Sequence, residues 1–487
     1  MKGDFTRDSF DAAKHYSRVM LQQGRVQLDA DWNEQTAIVL HYLRTLAADI
    51  LGPHAGPADH LGFEIITKES LAVEADPTNK LVSLGFAAET HSKLNAELAD
   101  GDMIIGLGRY YVAGLLVENN AAILYSQQLG YPYFSKETQI ENINSLKKNK
   151  ANLLVYLDVW EQEVSYIEDA HIREVALGGP DTCTRAKVMW QVKVLNSPDS
   201  PVDRNSVDSL PALGAGKLRA RARVDKPPVD LCSIPPEALY RGAENQLYRV
   251  EVHSGGTASN GATFKWSREN GSVVFPIRTL KGGIATLENL GRDLRLGLSE
   301  GDWVEILDDA ITLGETAGQF AQVGKVDGDE SSVALMSPVG APLPGYTMAD
   351  THKHPFLRRW DHVGDLMELG GALPIKEGDD TKDMEIEKNW LTLEDGVQIR
   401  FSSIAPDTIY FAGQYWLIPT RTVTGDVEWP SERINGNIRM DASNNPIAAA
   451  LAANGPIHAY APLFILSAAQ QVSHPDCRCR IESMKCT

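Results

Sequence analysis

Three carboxylates in the segment NLLVYLDVWEQEV could support acid–base chemistry: Asp158, Glu161 and Glu163. Apolar residues alternate in this segment, which predicts a β-strand with one face buried. Glu161 and Glu163 then share a face, where a carboxylate beside an aromatic ring could line a sugar groove. Acidic β proteins contain such pairs by chance, so the sequence favours a solvent-exposed strand face. We predict no catalytic residue here.

A histidine cluster in THKHPFLRRWDH could bind a metal ion, since His352, His354 and His362 are close in sequence. A metal site would need a carboxylate or further imidazoles that converge on the same point. We expect instead solvated loop histidines beside a packed unit of ion pairs and stacked rings. That unit consists of Arg358, Arg359, Trp360 and Asp361.

The cysteines do not form a recognisable site. Five are present, an odd and small number for 487 residues, so reduced thiols are expected rather than a disulfide framework. Cys477 and Cys479 lack the spacing of a zinc or redox pair. A metal-binding tail that also uses Cys486 and His474 stays open as an alternative, but the sequence predicts no metal and no cofactor.

Other motifs of known chemistry are missing from the sequence. The glycine-rich segments GLGRYYVAG and SGGTASNG lack the strand–loop–helix context and the lysine of a phosphate-binding loop. A net charge of −19 repels phosphate backbones, so nucleic acid is not an expected partner. The N-terminus is charged and no segment reaches the roughly 20 apolar residues of a membrane span, which predicts cytoplasmic synthesis without membrane insertion.

The first 35 residues are dense in aromatic and amide side chains, although no arrangement among them does chemistry. Such a mixture is typical of a segment that docks on another surface. An arm packed on its own chain is the alternative, and both readings stay open. The candidate interface residues are Phe5, Tyr16, Gln22, Gln23, Arg25, Asp31 and Trp32.

An amphipathic helix is predicted over residues 33–51. Val39, Leu43, Leu46 and Ile50 recur at steps of three and four residues, and Gly52 followed by proline ends the pattern. Its apolar stripe is expected to cover a core or to pack against copies of itself.

The rest of the chain has the alternating pattern of short strands, including residues 81–88. We predict a mainly β, multidomain fold with antiparallel sandwiches, a small barrel and the one N-terminal amphipathic helix. The barrel is expected from LRLGLSEGDWVEILDD and AQVGKVDGDESSVALMSP. The predicted division is an arm and helix (1–62), a β domain with a long insertion loop (63–200), a β domain with the barrel (201–345), and a C-terminal β domain with the tail (346–487).

Ordered motifs over most of the chain resemble a bacterial family of unknown biochemical activity that occurs with phage-tail-like contractile injection systems. The tail DCRCRIESMKCT departs from that family, where a more apolar ending with proline is expected. The motifs are MKGDFTRDSF, LQQGRVQLDADWNEQ, GRYYVAGLLVEN, LYRVEVHSGGTA, ATFKWSRENGSVVFPI, RRWD, LEDGVQIRF, GQYWLIPTRT and HAYAPL.

The resemblance implies a structural component of such a particle, associated with the baseplate or tail. Its expected partners are other baseplate or tail proteins and copies of itself, in a multiple of three. Cytoplasmic assembly is expected, followed by a location in the released or membrane-apposed particle. The alternatives are a particle-borne protein that binds or cleaves glycans and a soluble effector loaded into the tube.

Overall fold

The computed structural model describes most of the chain, with gaps at several loops and at the end of the tail. The described residues are 1–128, 143–145, 152–196, 202–223, 239–291, 293, 295–314, 316–338, 341–379, 388–403, 408–441, 444–466 and 476–482.

Helices are concentrated near the N-terminus, where α1 is the longest of those described. α1 begins at Asp29, four residues earlier than predicted, because the Asp31 carboxylate accepts a hydrogen bond from the Leu28 backbone N–H. It ends where the Gly52 N–H bonds the Ala48 carbonyl oxygen. The described helices are α1 (Asp29–Leu51), α2 (Lys68–Ala72), α3 (Pro77–Ser83), α4 (His91–Ala99) and α5 (Asp309–Leu313).

The strand prediction for residues 81–88 is wrong, because α3 continues to Ser83 and none of these residues is in a strand. Asp76 caps α3 by accepting a bond from the Asn79 N–H, and Pro77 occupies the first turn. Leu81 and Leu94 pack in a small core between these short helices and the strands beside them. Tertiary packing of a few leucines stabilises helices too short to be stable alone.

The first half of the chain forms three small sheets. β28 (Arg480–Ile481) from the tail joins β1 in parallel, in the order β28-β1-β4-β5, and β27 (Ala459–Leu466) joins the order β27-β7-β8. A third sheet has the order β2-β3-β6. The strands are β1 (His54–Pro57), β2 (Ile65–Ile66), β3 (Ile104–Ile105), β4 (Gly108–Val112), β5 (Leu115–Asn119), β6 (Ile123–Leu124), β7 (Leu153–Val164) and β8 (Arg185–Leu195).

A closed barrel of six strands follows, in the order β12-β13-β16-β15-β14-β17. The prediction of a small barrel is therefore confirmed. Val304 and Ile306 fill its interior, while Trp303 belongs to a separate cluster with Trp360. The strands are β12 (Val274–Lys281), β13 (Ile284–Leu287), β14 (Trp303–Leu307), β15 (Gln319–Asp327), β16 (Ser332–Met336) and β17 (Phe356–Trp360).

Two further sheets pack around a shared core that includes Phe264, Phe401 and Trp416. One has the order β18-β11-β10-β22-β23, and the other has the order β19-β21-β9-β26 with β20 beside β21. β24 and β25 form a separate pair. The strands are β9 (Lys217–Ala222), β10 (Leu247–Val252), β11 (Thr263–Ser267), β18 (Leu373–Pro374), β19 (Glu377–Asp379), β20 (Leu391–Thr392), β21 (Val397–Ser403), β22 (Tyr415–Arg421), β23 (Asp426–Val427), β24 (Arg433–Ile434), β25 (Asn437–Ile438) and β26 (Leu451–Ala452).

This architecture confirms the mainly β fold with several sheets and a barrel. Strands from distant parts of the sequence share sheets, as β7 does with β27. The four-part division of the chain stays a prediction. Among the described residues, none of the helices has the length and apolar character needed to cross a membrane.

Candidate functional site

The first residues of the arm insert between the sheets and the barrel. The backbone N–H of Lys2 donates to a Glu163 carboxylate oxygen at 2.7 Å, and the Asn270 side chain donates to the Gly3 carbonyl oxygen at 2.9 Å. Asn270 and Gly271 adopt positive φ, a conformation that an Asn-Gly pair favours, and the Asn270 amide on this turn contacts the arm. The start of the arm is therefore fixed to the body.

A buried charge cluster lies beneath this insertion. The Lys265 ammonium is 3.3 Å from Glu251 and 2.6 Å from Glu305, and the Lys2 ammonium is 3.3 Å from Glu251. The Trp360 indole N–H donates to Glu305 at 2.9 Å. Each buried carboxylate thus has several partners, as buried charges require.

The cluster keeps both carboxylates ionised. Burial would raise the pKa of Glu251, but Lys2, Arg249 and Lys265 outweigh burial and hold that pKa well below its usual range. The pKa of Glu305 is lowered in the same way, chiefly by Lys265. Burial lowers the pKa of Lys2 to about 8 despite the neighbouring Glu251. The positive and negative charges of these groups neutralise one another, so none of these groups is available as a base.

A cavity of about 610 Å³ lies beside the cluster. Trp160, Glu161 and Glu163 reach it from β7, and Tyr415 reaches it from β22. His458 stacks on Trp160 with ring centroids 5.3 Å apart, and the Arg249 guanidinium lies 3.6 Å from the centre of the Tyr415 ring. One face of each aromatic ring is therefore already covered.

Glu161 and Glu163 of β7 do not form the solvent-exposed pair that the sequence predicted. Glu161 forms a two-pronged ion pair with Arg44 of α1, at 2.7 and 2.9 Å. Glu163 receives the arm, and burial raises its pKa although Arg358 and Lys2 oppose the shift. This prediction is wrong because α1 and the arm lie against that face of the strand.

Asp158 lies apart from these two acids and is buried. It accepts hydrogen bonds from Lys193 at 2.6 Å and pairs with His458 at 2.7 Å. Burial would raise its pKa, but these two partners lower it overall. Asp158 therefore links β7 to β8 and to the segment before β27.

Beyond its first residues the arm follows α1. Thr6 donates to Asp29 at 2.6 Å, Ser9 donates to Glu34 at 2.6 Å, and the Val19 N–H donates to Gln35 at 2.8 Å. Residues 11–18 and 20–28 are exposed. The middle of the arm is thus an exposed loop that is held beside α1 by hydrogen bonds.

Most of the predicted interface residues are on this exposed part. Phe5 and Asp31 are half-buried, and Asp31 serves the start of α1. Trp32 is 75% exposed, so it is not a packing anchor within its own chain. The exposed candidates are Tyr16, Gln22, Gln23, Arg25 and Trp32.

Three apolar residues of the same loop were not among the predicted interface residues: Met20, Leu21 and Val26. Their side chains are exposed, with Val26 at 84%. The sequence contained a signal for their exposure. These residues follow neither helical nor strand periodicity, and apolar residues outside any periodic pattern are not expected to be part of a core.

The three histidines are not brought together. His352 bonds the Ala349 carbonyl oxygen at the surface, and His354 lies 2.7 Å from Asp309. His362 is buried, contrary to the prediction of solvated histidines, because its imidazole stacks on Trp303 and contacts the Gly371 carbonyl oxygen. Within the described residues, no group of three His, Cys, Asp or Glu side chains could hold a metal ion.

The described residues of the tail contact strands from the N-terminal part of the chain. The Cys479 carbonyl oxygen accepts from the Gly56 N–H, the Cys479 N–H donates to the Tyr110 hydroxyl, and Cys477 is buried. His474 and Cys486 lie outside the described residues, so the alternative that used them is not tested.

Fold and site define a mainly β protein in which the N-terminal arm is held at both ends and α1 is held along one face, while the middle of the arm and the other face of α1 are exposed. The chain belongs to a family of unknown function (DUF6519), whose profile matches residues 1–213 and 204–487. Comparison with curated proteins and with solved structures finds no match.

Proposed function

We propose that the protein is a structural component of a contractile injection particle, associated with its baseplate, and that it acts through protein–protein interfaces. The observation that carries the proposal is the exposed apolar loop of the arm. Tyr16, Met20, Leu21 and Val26 are exposed on a segment whose two ends are held by hydrogen bonds. The particle itself is inferred from the motifs that resemble proteins of such systems.

A fixed, exposed apolar segment favours binding because little conformational entropy is lost when a partner covers it. Aromatic and aliphatic anchors surrounded by amides match the composition of interface centres and rims. Gln22, Gln23 and Arg25 supply those amide and cationic groups next to the apolar side chains. The partner is expected to be another protein of the particle.

Replacement of Tyr16, Leu21 and Val26 by serine tests the proposal. Because all three are exposed, the variant should fold with an unchanged melting temperature but should not co-purify with the particle. The matched control replaces Val175, Val363 and Val423 by serine, since these apolar residues lie outside the arm and are at least as exposed. Assembly of the arm variant at the wild-type level would contradict the proposal.

A glycan-binding or glycan-cleaving role is the second candidate, and the cavity is the observation that favours it. Glu163, with its raised pKa, could act as an acid beside Trp160 and Tyr415. Cleavage of a cell-wall or capsular polysaccharide by the purified protein, lost in Glu163→Gln, would support this function. Folding controls are essential, because Glu163 also holds the arm.

A further inference from the structure

One face of α1 is apolar and exposed along the length of the helix. Trp32, Val39, Leu43, Leu46 and Ile50 follow one another at steps of seven, four, three and four residues, and Ile50 is 70% exposed. Steps that alternate between three and four give a repeat of 3.5 residues, which is the pattern of the seam of a coiled coil. By this spacing the a positions are Thr36, Leu43 and Ile50, and the d positions are Trp32, Val39 and Leu46. Thr36 is the one polar residue among them.

The opposite face of α1 is fixed to its own chain. Ile38 and Ala30 are buried there, and Arg44 is paired with Glu161 of β7. The turn between β4 and β5 is so close that a Cβ on Gly114 would overlap the Arg44 carbonyl oxygen. Because these contacts fix the rotation of the helix, the apolar stripe cannot turn inward.

We propose that α1 packs against α1 of two further copies of this chain, as a three-helix coiled coil around a threefold axis. The body of each subunit lies on the opposite face of its helix and so does not obstruct the seam. The a and d positions from Trp32 to Ile50 carry no charged side chain that would oppose the contact. A second copy supplies the same repeat in the same register, which an unrelated surface does not.

Three copies fit the seam better than two. The apolar face is wider than a pair of helices covers, since Leu40 and Tyr42 flank it and are exposed. Val39 at d with Leu43 at a is the pattern of bundles of more than two helices, whereas Leu46 at d with Ile50 at a is the pattern of dimers. The width of the apolar face therefore decides for three helices. The seam from Trp32 to Ile50 spans 19 residues of α1, which is between two and three heptads of contact.

This inference goes beyond the proposed function, because it concerns a different surface from the arm loop and does not require a particle. The test is the mass of the purified full chain by light scattering and by sedimentation at micromolar concentration. Wild type is expected at three times the mass of one chain. The double variant Leu43→Glu, Leu46→Glu is expected as a monomer with unchanged circular dichroism, since both residues are exposed in the subunit.

Thr45→Glu is the matched control, because it adds the same charge to the same helix outside the seam. It should remain trimeric, as should Leu46→Met, which keeps the side chain apolar.

A monomeric wild type, or a seam variant that keeps the trimeric mass, overturns the inference. A dimeric wild type overturns the threefold arrangement. The serine variant of the arm loop is expected to stay trimeric, so failure of the proposed function would be seen separately.

Discussion

Glu161 and Glu163 occupy one face of β7, as strand periodicity requires, but each has a different neighbour. Glu161 holds α1 through Arg44, and Glu163 holds the arm through the Lys2 backbone. A pair of acids that resembles a catalytic pair in the sequence therefore positions α1 and the start of the arm. The spacing of two residues places both side chains on one face of the strand, but it does not determine which segments of the chain cover that face.

The Glu161–Arg44 pair should contribute to stability because it is two-pronged and only about a quarter to a third exposed. We expect Glu161→Gln to lower the free energy of unfolding by about 1 kcal/mol, and a double-mutant cycle with Arg44→Gln to give a similar coupling. Urea unfolding measures both values. The exposed Glu300→Gln is the control, and a coupling near zero would show that the pair is solvated.

His362 should make stability depend on pH. Burial lowers its pKa from 6.5 to about 3, so the folded protein holds a neutral imidazole while the unfolded chain binds a proton below pH 6.5. The stability from this group is present above pH 6.5 and is lost as pH falls toward 3. At pH 4.5 the loss is about 2 to 3 kcal/mol.

The measurement is the melting temperature of wild type and His362→Gln between pH 7 and 4.5. The variant is less stable at pH 7 because the stacking on Trp303 is lost, but its stability should fall less steeply with acid. Parallel curves for the two proteins would show that His362 does not cause the pH dependence.

The helix α1 has two faces with different roles. One face carries the contacts to β7 and to the β4–β5 turn, and the other carries the exposed apolar stripe. Trp32 belongs to the exposed face, so any contribution as an anchor must come from another chain. The arm loop is a second exposed element, and its two attachments keep it beside α1.

For the whole molecule, the pairing of distant strands sets the unit of folding. The family profile matches in two parts that meet near residue 210, but β7 pairs with β27 and β1 pairs with β28 across that point. Residues 1–213 expressed alone should therefore lack one of the two strands that pair with β7, which leaves an open sheet edge, and should aggregate or fail to fold. Co-expression with residues 214–487 should restore soluble protein, whereas a stable, folded 1–213 fragment would show that β27 and β28 are dispensable.

The local sequence pattern was enough to predict those elements that depend only on neighbouring residues. Alternation in NLLVYLDVWEQEV gave β7, the Asn270-Gly271 turn gave its positive-φ bend, and the Gly-Asp spacing near Trp303 gave barrel strands. Residue types also showed that the arm is dense in aromatic and amide side chains, but they left open whether it docks on another surface or packs on its own chain. These features follow from backbone sterics and from the periods of strand and helix, which act over a few residues.

Tertiary structure decided which surfaces these elements cover. Strand alternation cannot show that the face of β7 with Glu161 and Glu163 receives α1 and the arm, nor that His362 enters a buried stack beside Trp303. The stripe of α1 was visible in the sequence, but whether it faces a core or solvent depends on Arg44, Glu161 and Gly114, which are far apart along the chain. The physical reason is that burial and ion pairing arise from contacts between distant segments, and their partners are chosen only when the whole chain packs.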